Sequence, residues 1–144
     1  MKEYFKIVCA VHLFLIKDGK ILMLRRFNTG YEDGSYSVIA GHIDGDEQVR
    51  DAMVREAKEE AGISIEKNDL RFVHVMHRKS SEERVDFFFV CDRWNGEAHN
   101  AEPTKCDDLR WFSLDSLPKN MVPYVRQGID RFKENILFSE HGWQ

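Results

Sequence analysis

The chain has 144 residues, of which 42% are hydrophobic, and it carries a formal net charge of −4. A chain of this length and composition can bury the core of one domain, so we expect a single domain over residues 1–144. Proteins that bind nucleic-acid backbones displace counterions from the phosphates with basic residues, so the acidic balance argues against a nucleic-acid polymer as the partner. A small nucleotide remains compatible with it.

The cysteines and the N-terminal segment indicate the compartment. Cys9, Cys91 and Cys106 are odd in number and widely spaced, which is typical of ordinary thiols in a reducing compartment. The N-terminal apolar stretch is interrupted by Lys6 and His12, and no segment reaches the roughly 18 continuous apolar residues of a membrane helix. We therefore expect a cytoplasmic protein that does not bind a membrane. A homodimer is compatible with the sequence.

The first predicted element is a β-hairpin. Alternate positions over residues 5–15 are apolar, Asp18 and Gly19 supply a tight turn, and a second apolar run occupies residues 21–24. Residues 28–37 are rich in Gly, Asp, Asn and Ser, which predicts a surface loop. Loops of this kind often carry binding groups.

The best-marked helix is predicted over residues 46–61. Asp46 and Glu47 place negative charge at the end of the helix dipole that favours it, and Gly62 is positioned to end the helix. Residues 70–76, 85–91 and 109–112 are rich in β-branched and aromatic side chains and predict three strands, with the polar stretch 78–84 joining the first two.

A second, amphipathic helix is predicted near the C-terminus. Val125, Ile129, Phe132 and Ile136 follow one another at helical spacing, and Pro123 precedes them at a position that suits the first turn of a helix. The order of strands and helices therefore predicts an α/β or α+β layered fold around a mixed β-sheet.

Three carboxylates share the C-terminal half of the first predicted helix. On a wheel that advances by about 100° per residue, Glu56 and Glu60 fall within about 20° of Val49, on the side that packs, while Glu59 lies at the edge of the cluster and Arg55 on the solvent side. Carboxylates four residues apart repel each other, and more strongly as water is withdrawn. A cation should compensate them, and oxygen ligands in this number suit Mg²⁺.

Two other interpretations of this helix stay open at this point. Glu and Lys are good helix formers, so the run REAKEE alone is more typical of a solvated helix face. A carboxylate-bridged metal pair in a helical bundle would need Glu-x-x-His motifs on several helices. Position 59 is Glu rather than His and the chain is rich in predicted strands, which disfavours the bundle.

The segment that begins at Gly41 and ends at Ile63, GHIDGDEQVRDAMVREAKEEAGI, matches every fixed position of the Nudix signature G-x5-E-x7-R-E-U-x-E-E-x-G-U. The chain thus resembles the Nudix hydrolase superfamily (MutT-like), which implies an α/β/α sandwich around a mixed β-sheet. Ala57 stands where a larger aliphatic residue is more typical. The residues before the box, YSVIAG, lack the Trp and the Pro-Gly-Gly turn that are often found there.

The resemblance implies a metal site. Glu56 and Glu60 would be the principal ligands of Mg²⁺, for which Mn²⁺ could substitute. Glu59 would be a further ligand or a group that orients water, and a backbone carbonyl of Ala40 or Gly41 would complete the shell.

The resemblance also implies an architectural pair and a general base. Glu47 and Arg55 would hold the preceding loop against the helix. Glu59 is the first candidate for the base, and Glu102 is the second because a carboxylate on a later loop serves this role in some Nudix enzymes. The alternative for Glu102 is a solvated loop acid.

Four residues are candidates for substrate contact. Arg25 and Arg26 end the second predicted strand, where a guanidinium could pair with a phosphate, although an ordinary charge at a strand end is the alternative. Tyr36 could stack on a ring, but aromatic residues beside a sheet more often pack. His42 follows the first glycine of the box and could face the substrate. No role is assigned to the other histidines, His12, His74, His77, His99 and His141.

The expected reaction is the Mg²⁺-dependent hydrolysis of a diphosphate linkage in a small nucleotide. Residues 64–102 contain no Tyr and no Pro, the markers of diadenosine polyphosphate and ADP-ribose substrates in the superfamily. A nucleoside triphosphate, cleaved to a monophosphate and pyrophosphate, is therefore the leading substrate, and a nucleotide sugar or another diphosphate conjugate is the second. A Nudix module that senses a nucleotide without hydrolysing it is the alternative from another class.

Overall fold

The computed structural model describes residues 1–144, and it contains eight strands and two α-helices. In chain order these elements are β1 (Val8–Lys17), β2 (Lys20–Arg26), β3 (Tyr36–Ser37), β4 (Ile39–His42), α1 (Val49–Ala61), β5 (Arg71–Lys79), β6 (Glu83–Cys91), β7 (Cys106–Ser113), α2 (Pro123–Lys133) and β8 (Phe138–His141). A short 3₁₀ turn at Lys67–Asp69 precedes β5. Neither helix has both the length and the apolar character that crossing a bilayer requires.

All eight strands belong to one mixed sheet with the order β3-β2-β1-β6-β5-β8, to which β4 and β7 add by pairing with β1 and β2. β1 is parallel to β6 and β5 is parallel to β8, whereas β5 and β6 form an antiparallel hairpin. Alternate residues of β1 face opposite sides, so Leu13 packs with Met53 of α1 and Phe14 packs with Ile129 of α2. The predicted sandwich of two helices around a mixed sheet is confirmed.

Local signals predicted the first turn, the end of α1 and the start of α2 correctly. Asp18 and Gly19 both adopt positive φ, 54° and 74°, and form the tight turn between β1 and β2. Gly62 adopts a φ of 69° and donates its N–H to the carbonyl of Lys58, which ends α1. Pro123 begins α2.

Three predicted boundaries were wrong. β1 begins at Val8 rather than at position 5, because its pairing with β6 begins at Val8 opposite Arg84. α1 begins at Val49 rather than at position 46, because Asp46 adopts a positive φ of 65° in the preceding turn. α2 ends at Lys133, so Ile136 lies outside the apolar face that the spacing predicted for it.

The polar stretch 78–84 is not a plain connection. β5 continues to Lys79 and β6 starts at Glu83, so the two strands form a hairpin with its turn at residues 80–82. The short strands β3, β4 and β8 were not predicted either, because two to four residues are too few to show an alternating pattern.

A buried ionic cluster joins β1, β5 and β6 beneath α2. Asp86 accepts hydrogen bonds from Nε2 of His12 (3.0 Å) and from Nε and Nη2 of Arg78 (2.7 and 3.3 Å), and all three side chains are almost completely buried. The Arg78 guanidinium lies 3.7 Å from the ring centroid of Tyr124. Burial by itself would raise the pKa of Asp86, but the hydrogen bonds and charges of His12 and Arg78 outweigh it and lower this pKa to about 2.

This cluster should make the fold sensitive to acid. Because the pKa of Asp86 is lowered from 3.8 in the unfolded reference to about 2, its stabilising contribution is present above about pH 4 and is lost as the pH falls to about 2. We expect this contribution to be roughly 2 kcal/mol. Urea unfolding of the Asp86→Asn variant between these pH values should show a correspondingly smaller loss of stability than the wild type.

Asp115→Asn, at an exposed carboxylate, is the matched control and should keep the wild-type pH dependence. An Asp86→Asn variant whose unfolding free energy falls with acid as steeply as that of the wild type would contradict this role of the cluster.

Candidate functional site

A cavity of about 940 Å³ is lined by residues of β1, β2, β4, β5 and β6 and of both helices. Four carboxylates line it, which we call the acidic wall, and so do two arginines of the β5–β6 hairpin, which we call the basic wall. Arg25, Arg26 and Lys105 are further cations of the lining. The residues of the acidic wall are Glu56, Glu59, Glu60 and Glu102, and those of the basic wall are Arg78 and Arg84.

Two carboxylates of α1 lie against the backbone of β4. Glu60 accepts the backbone N–H of Ala40 at 3.0 Å. The Glu56 carboxyl group lies so close to Gly41 that a Cβ atom at this glycine would stand 2.0 Å from its Cδ. Any residue with a side chain at position 41 would therefore displace Glu56, which gives a physical reason for the first glycine of the box.

The two inner carboxylates are poorly compensated. Burial raises the pKa of Glu56, and the neighbouring charges of Glu59 and Glu102 add to the increase against the hydrogen bond from Arg55. Burial also raises the pKa of Glu60 well above its usual range, against the N–H of Ala40. Both shifts arise first from burial, and the neighbouring carboxylates add to them, so a nearby cation would stabilise the charged forms.

Arg55 is the one cation in direct contact with these carboxylates. It donates to Glu47 through Nε (3.3 Å) and Nη2 (2.8 Å), to Glu56 through Nη1 (2.8 Å), and to the carbonyl of His42 (3.1 Å). The guanidinium lowers the pKa of Glu47, which also accepts the N–H of Asp44. Arg55 thus joins the loop to the helix. The wheel placed it on the solvent side, but its side chain is only 30% exposed because it contacts Glu47, Glu56 and the carbonyl of His42.

The second base candidate reaches the site because its loop caps α1. The carbonyls of Glu60 and Ala61, which have no partner within the helix, accept the N–H groups of Ala101 (3.1 Å) and His99 (3.0 Å). These bonds hold the loop beside the C-terminal end of α1. Glu102 consequently lines the cavity close enough to Glu56 and Glu60 for its charge to raise the pKa of both.

The donor set fits a hard cation that keeps part of its water shell. No three His, Cys, Asp or Glu side chains lie close enough together to hold a metal ion by themselves. Mg²⁺ does not need one, because it retains several waters and takes few protein ligands. The poorly compensated carboxylates of Glu56 and Glu60, with Glu59 at the exposed margin, offer the charge and the oxygen atoms that such an ion requires.

The candidate substrate contacts separate into two groups. Arg25, Arg26 and His42 line the cavity. Arg25 also pairs with Asp107 at 2.7 Å. Tyr36 does not line the cavity, because its ring is buried in the core beneath α2 and its hydroxyl donates to Asp108. The packing interpretation of Tyr36 therefore replaces the stacking one.

Sequence reasoning missed the basic wall and the buried cluster behind it. His12 was given no role, and Arg78 and Arg84 were assigned to a polar connection. One signal was present, because Asp86 stands inside the apolar strand β6, and an acid in a buried strand needs a cationic partner. The identity of that partner depends on strand register, which the sequence does not show.

Three comparisons bear on the family. A model of the NUDIX domain matches residues 6–132. An ADP-ribose pyrophosphatase of Methanocaldococcus jannaschii is 30% identical over 117 residues, which are 81% of this chain and 68% of that protein. An NAD-capped RNA hydrolase of Chromobacterium violaceum is 23% identical over 137 residues, and the match covers 91% of this chain but only 50% of that protein.

The solved structures agree. The crystal structure of a MutT NUDIX hydrolase from Burkholderia pseudomallei superposes with a TM-score of 0.81 and 26% identity, over 88% of this chain and 98% of that one. The predicted superfamily and enzyme class, a Nudix pyrophosphohydrolase, are thereby confirmed. The NUDIX domain model matches most of this chain, and the late glutamates of the box line one cavity. The chain therefore belongs to the NUDIX domain family.

Proposed function

We propose that the protein hydrolyses the diphosphate linkage of a nucleoside triphosphate in a Mg²⁺-dependent reaction and releases a nucleoside monophosphate. The observation that carries the proposal is the wall of carboxylates that face one cavity with too little positive charge beside them. Mg²⁺, or Mn²⁺ in its place, would supply the missing charge, lower the pKa of a bound water and neutralise the phosphoryl oxygens.

Residues of the chain would bind the metal and carry out proton transfer. Glu56 and Glu60 would hold the metal, together with the backbone carbonyl of Ala40 or Gly41. Glu59 is the most exposed carboxylate of the three on α1, so it is free to orient the attacking water or accept its proton. Glu102 faces the same cavity from its loop and is the second candidate for this proton transfer.

Other residues would position the substrate. Arg25 and Arg26 line the cavity at the end of β2, where their guanidinium groups could pair with phosphate oxygens. Glu47 and Arg55 would keep Glu56 in place without touching the substrate, because Arg55 already uses its donors on the protein.

A second candidate substrate is a diphosphate conjugate such as a nucleotide sugar. The names of the similar proteins favour it, since one is called an ADP-ribose pyrophosphatase and a structure with a TM-score of 0.72 and 19% identity is called a UDP-X diphosphatase. The conjugate differs from a triphosphate in the product, because its cleavage gives a second phosphorylated fragment instead of pyrophosphate.

A hydrolysis screen with product identification distinguishes these substrates. Nucleoside triphosphates, nucleotide sugars and dinucleotides should be incubated with the protein and Mg²⁺ or Mn²⁺, and the products should be separated and identified. We expect a nucleoside monophosphate and pyrophosphate from at least one triphosphate. Saturable binding without turnover of any compound would instead indicate a sensing module.

The clearest test of the metal assignment is Glu60→Gln. The variant keeps the shape of the side chain and its contact with Ala40 but removes the charge that would bind the metal, so turnover should fall roughly 100-fold or more. Initial rates at saturating substrate and metal give the measurement. Glu66→Gln, at an exposed glutamate just beyond the helix, is the control and should retain wild-type turnover. Wild-type turnover in Glu60→Gln would exclude this role for Glu60.

A second test addresses the packing of Glu56 on β4. In Gly41→Ala the new Cβ atom would collide with the Glu56 carboxyl group, so we expect turnover to fall at least about tenfold while the protein remains folded. Gly45→Ala is the matched control, because nothing lies within 4 Å of a Cβ atom at that position. Equal turnover in the two variants would show that the position of Glu56 is unimportant.

A further inference from the structure

Two arginines stand directly opposite each other on the β5–β6 hairpin. Arg78 of β5 pairs in register with Arg84 of β6, and both line the cavity. Directly opposite residues of an antiparallel pair point to the same face with Cβ atoms about 4.5–5.5 Å apart, where like charges destabilise the sheet. The two guanidinium groups therefore converge on one part of the cavity, and each has one carboxylate partner, Asp86 for Arg78 and Glu82 for Arg84.

Arg78 is held rigidly and still has a free donor. Asp86 accepts from its Nε and Nη2 atoms, and the ring of Tyr124 lies 3.7 Å beneath the guanidinium. Its Nη1 atom makes no hydrogen bond within the protein. A guanidinium that is fixed on both sides and keeps one unused nitrogen is well prepared to bind an oxygen acceptor.

Arg84 is only partly satisfied by the protein. Its Nη2 atom donates to Glu82 at 2.7 Å and its Nη1 atom contacts Nε2 of His42 at 3.0 Å, whereas its buried Nε atom has no partner. Ser80 and Ser81, in the turn of the same hairpin, also line the cavity. Guanidinium and hydroxyl groups together are typical ligands of phosphate.

The basic wall lies close to the carboxylates. The His42 side chain contacts Arg84, and the His42 carbonyl accepts a hydrogen bond from Nη2 of Arg55 at 3.1 Å. Arg55 in turn donates to Glu56 at 2.8 Å. His42 therefore contacts both Arg84 and Arg55, and Arg55 contacts Glu56, one of the proposed metal ligands.

We propose that Arg78 and Arg84 bind a second anionic group of the substrate, a phosphate beside the diphosphate that is cleaved. This inference rests on the proposed function and sharpens it, because it requires a substrate with at least one phosphate beyond the reacting linkage. That phosphate belongs either to a triphosphate chain or to a phosphorylated group joined to the diphosphate. The phosphate would accept from Nη1 of Arg78, which has no hydrogen-bond partner in the protein.

The direct test is binding of inorganic phosphate in the absence of metal. Titration calorimetry at constant low ionic strength should show saturable binding to the wild type and a Kd about tenfold higher or more for Arg84→Gln. Arg71→Gln removes an equal charge from an exposed position of β5 and should change the Kd less than twofold. The Arg84 side chain is 19% exposed, so glutamine should be accommodated, and unfolding temperatures will verify it.

Turnover then identifies the source of the phosphate. If it belongs to the phosphate chain, Arg84→Gln raises KM about tenfold for triphosphates but not for diphosphate conjugates that carry no further phosphate. If it belongs to the conjugated group, the increase in KM is seen with phosphorylated conjugates. Either result supports the proposal, and an unchanged KM for all of these substrates contradicts it.

Failure of this inference is distinguishable from failure of the proposed function. A wild type that does not bind phosphate, or an Arg84→Gln variant that binds it as the wild type does, overturns the inference even if nucleotides are hydrolysed. Metal-free phosphate binding through Arg84 without hydrolysis of any nucleotide would overturn the proposed function and leave the anion site standing.

Discussion

The contact between the carboxylates of α1 and the backbone of β4 is the constraint on which the proposed metal site depends. Glu60 accepts the N–H of Ala40, and the Glu56 carboxyl group occupies the space that a side chain at Gly41 would fill. These contacts hold the two carboxyl groups near each other and partly remove them from water. Both effects destabilise their charged forms. Arg55 offsets part of this cost, and the remainder favours a divalent cation.

The sequence was sufficient for the parts of the fold that local chemistry controls. The fixed spacing of the box, from its first glycine to its last, predicted which carboxylates would line the site. The turn at Asp18 and Gly19 and the end of α1 at Gly62 were also predicted correctly. Contacts between distant segments were inaccessible. Arg78 and Arg84 looked like a solvated connection because only strand register shows that they converge on the cavity.

The division of the cavity into two walls suggests how one small fold handles a highly charged substrate. In the proposed reaction the acidic wall would hold cations, which would bring positive charge to the linkage that is cleaved. The basic wall would contact anions directly, and its arginines are already held by Asp86, Tyr124 and His42. Groups fixed in this way lose little conformational freedom on binding, which favours affinity and correct placement of the substrate.

Metal binding by the carboxylates of α1 is the central claim, and a titration with Mn²⁺ followed by electron paramagnetic resonance tests it without any substrate. The wild type should bind Mn²⁺ and release it to added Mg²⁺, whereas the double variant Glu56→Gln/Glu60→Gln should lose at least about 90% of this affinity because two charged oxygen ligands are removed. Mn²⁺ binding of wild-type strength in the folded double variant would show that the metal is held elsewhere.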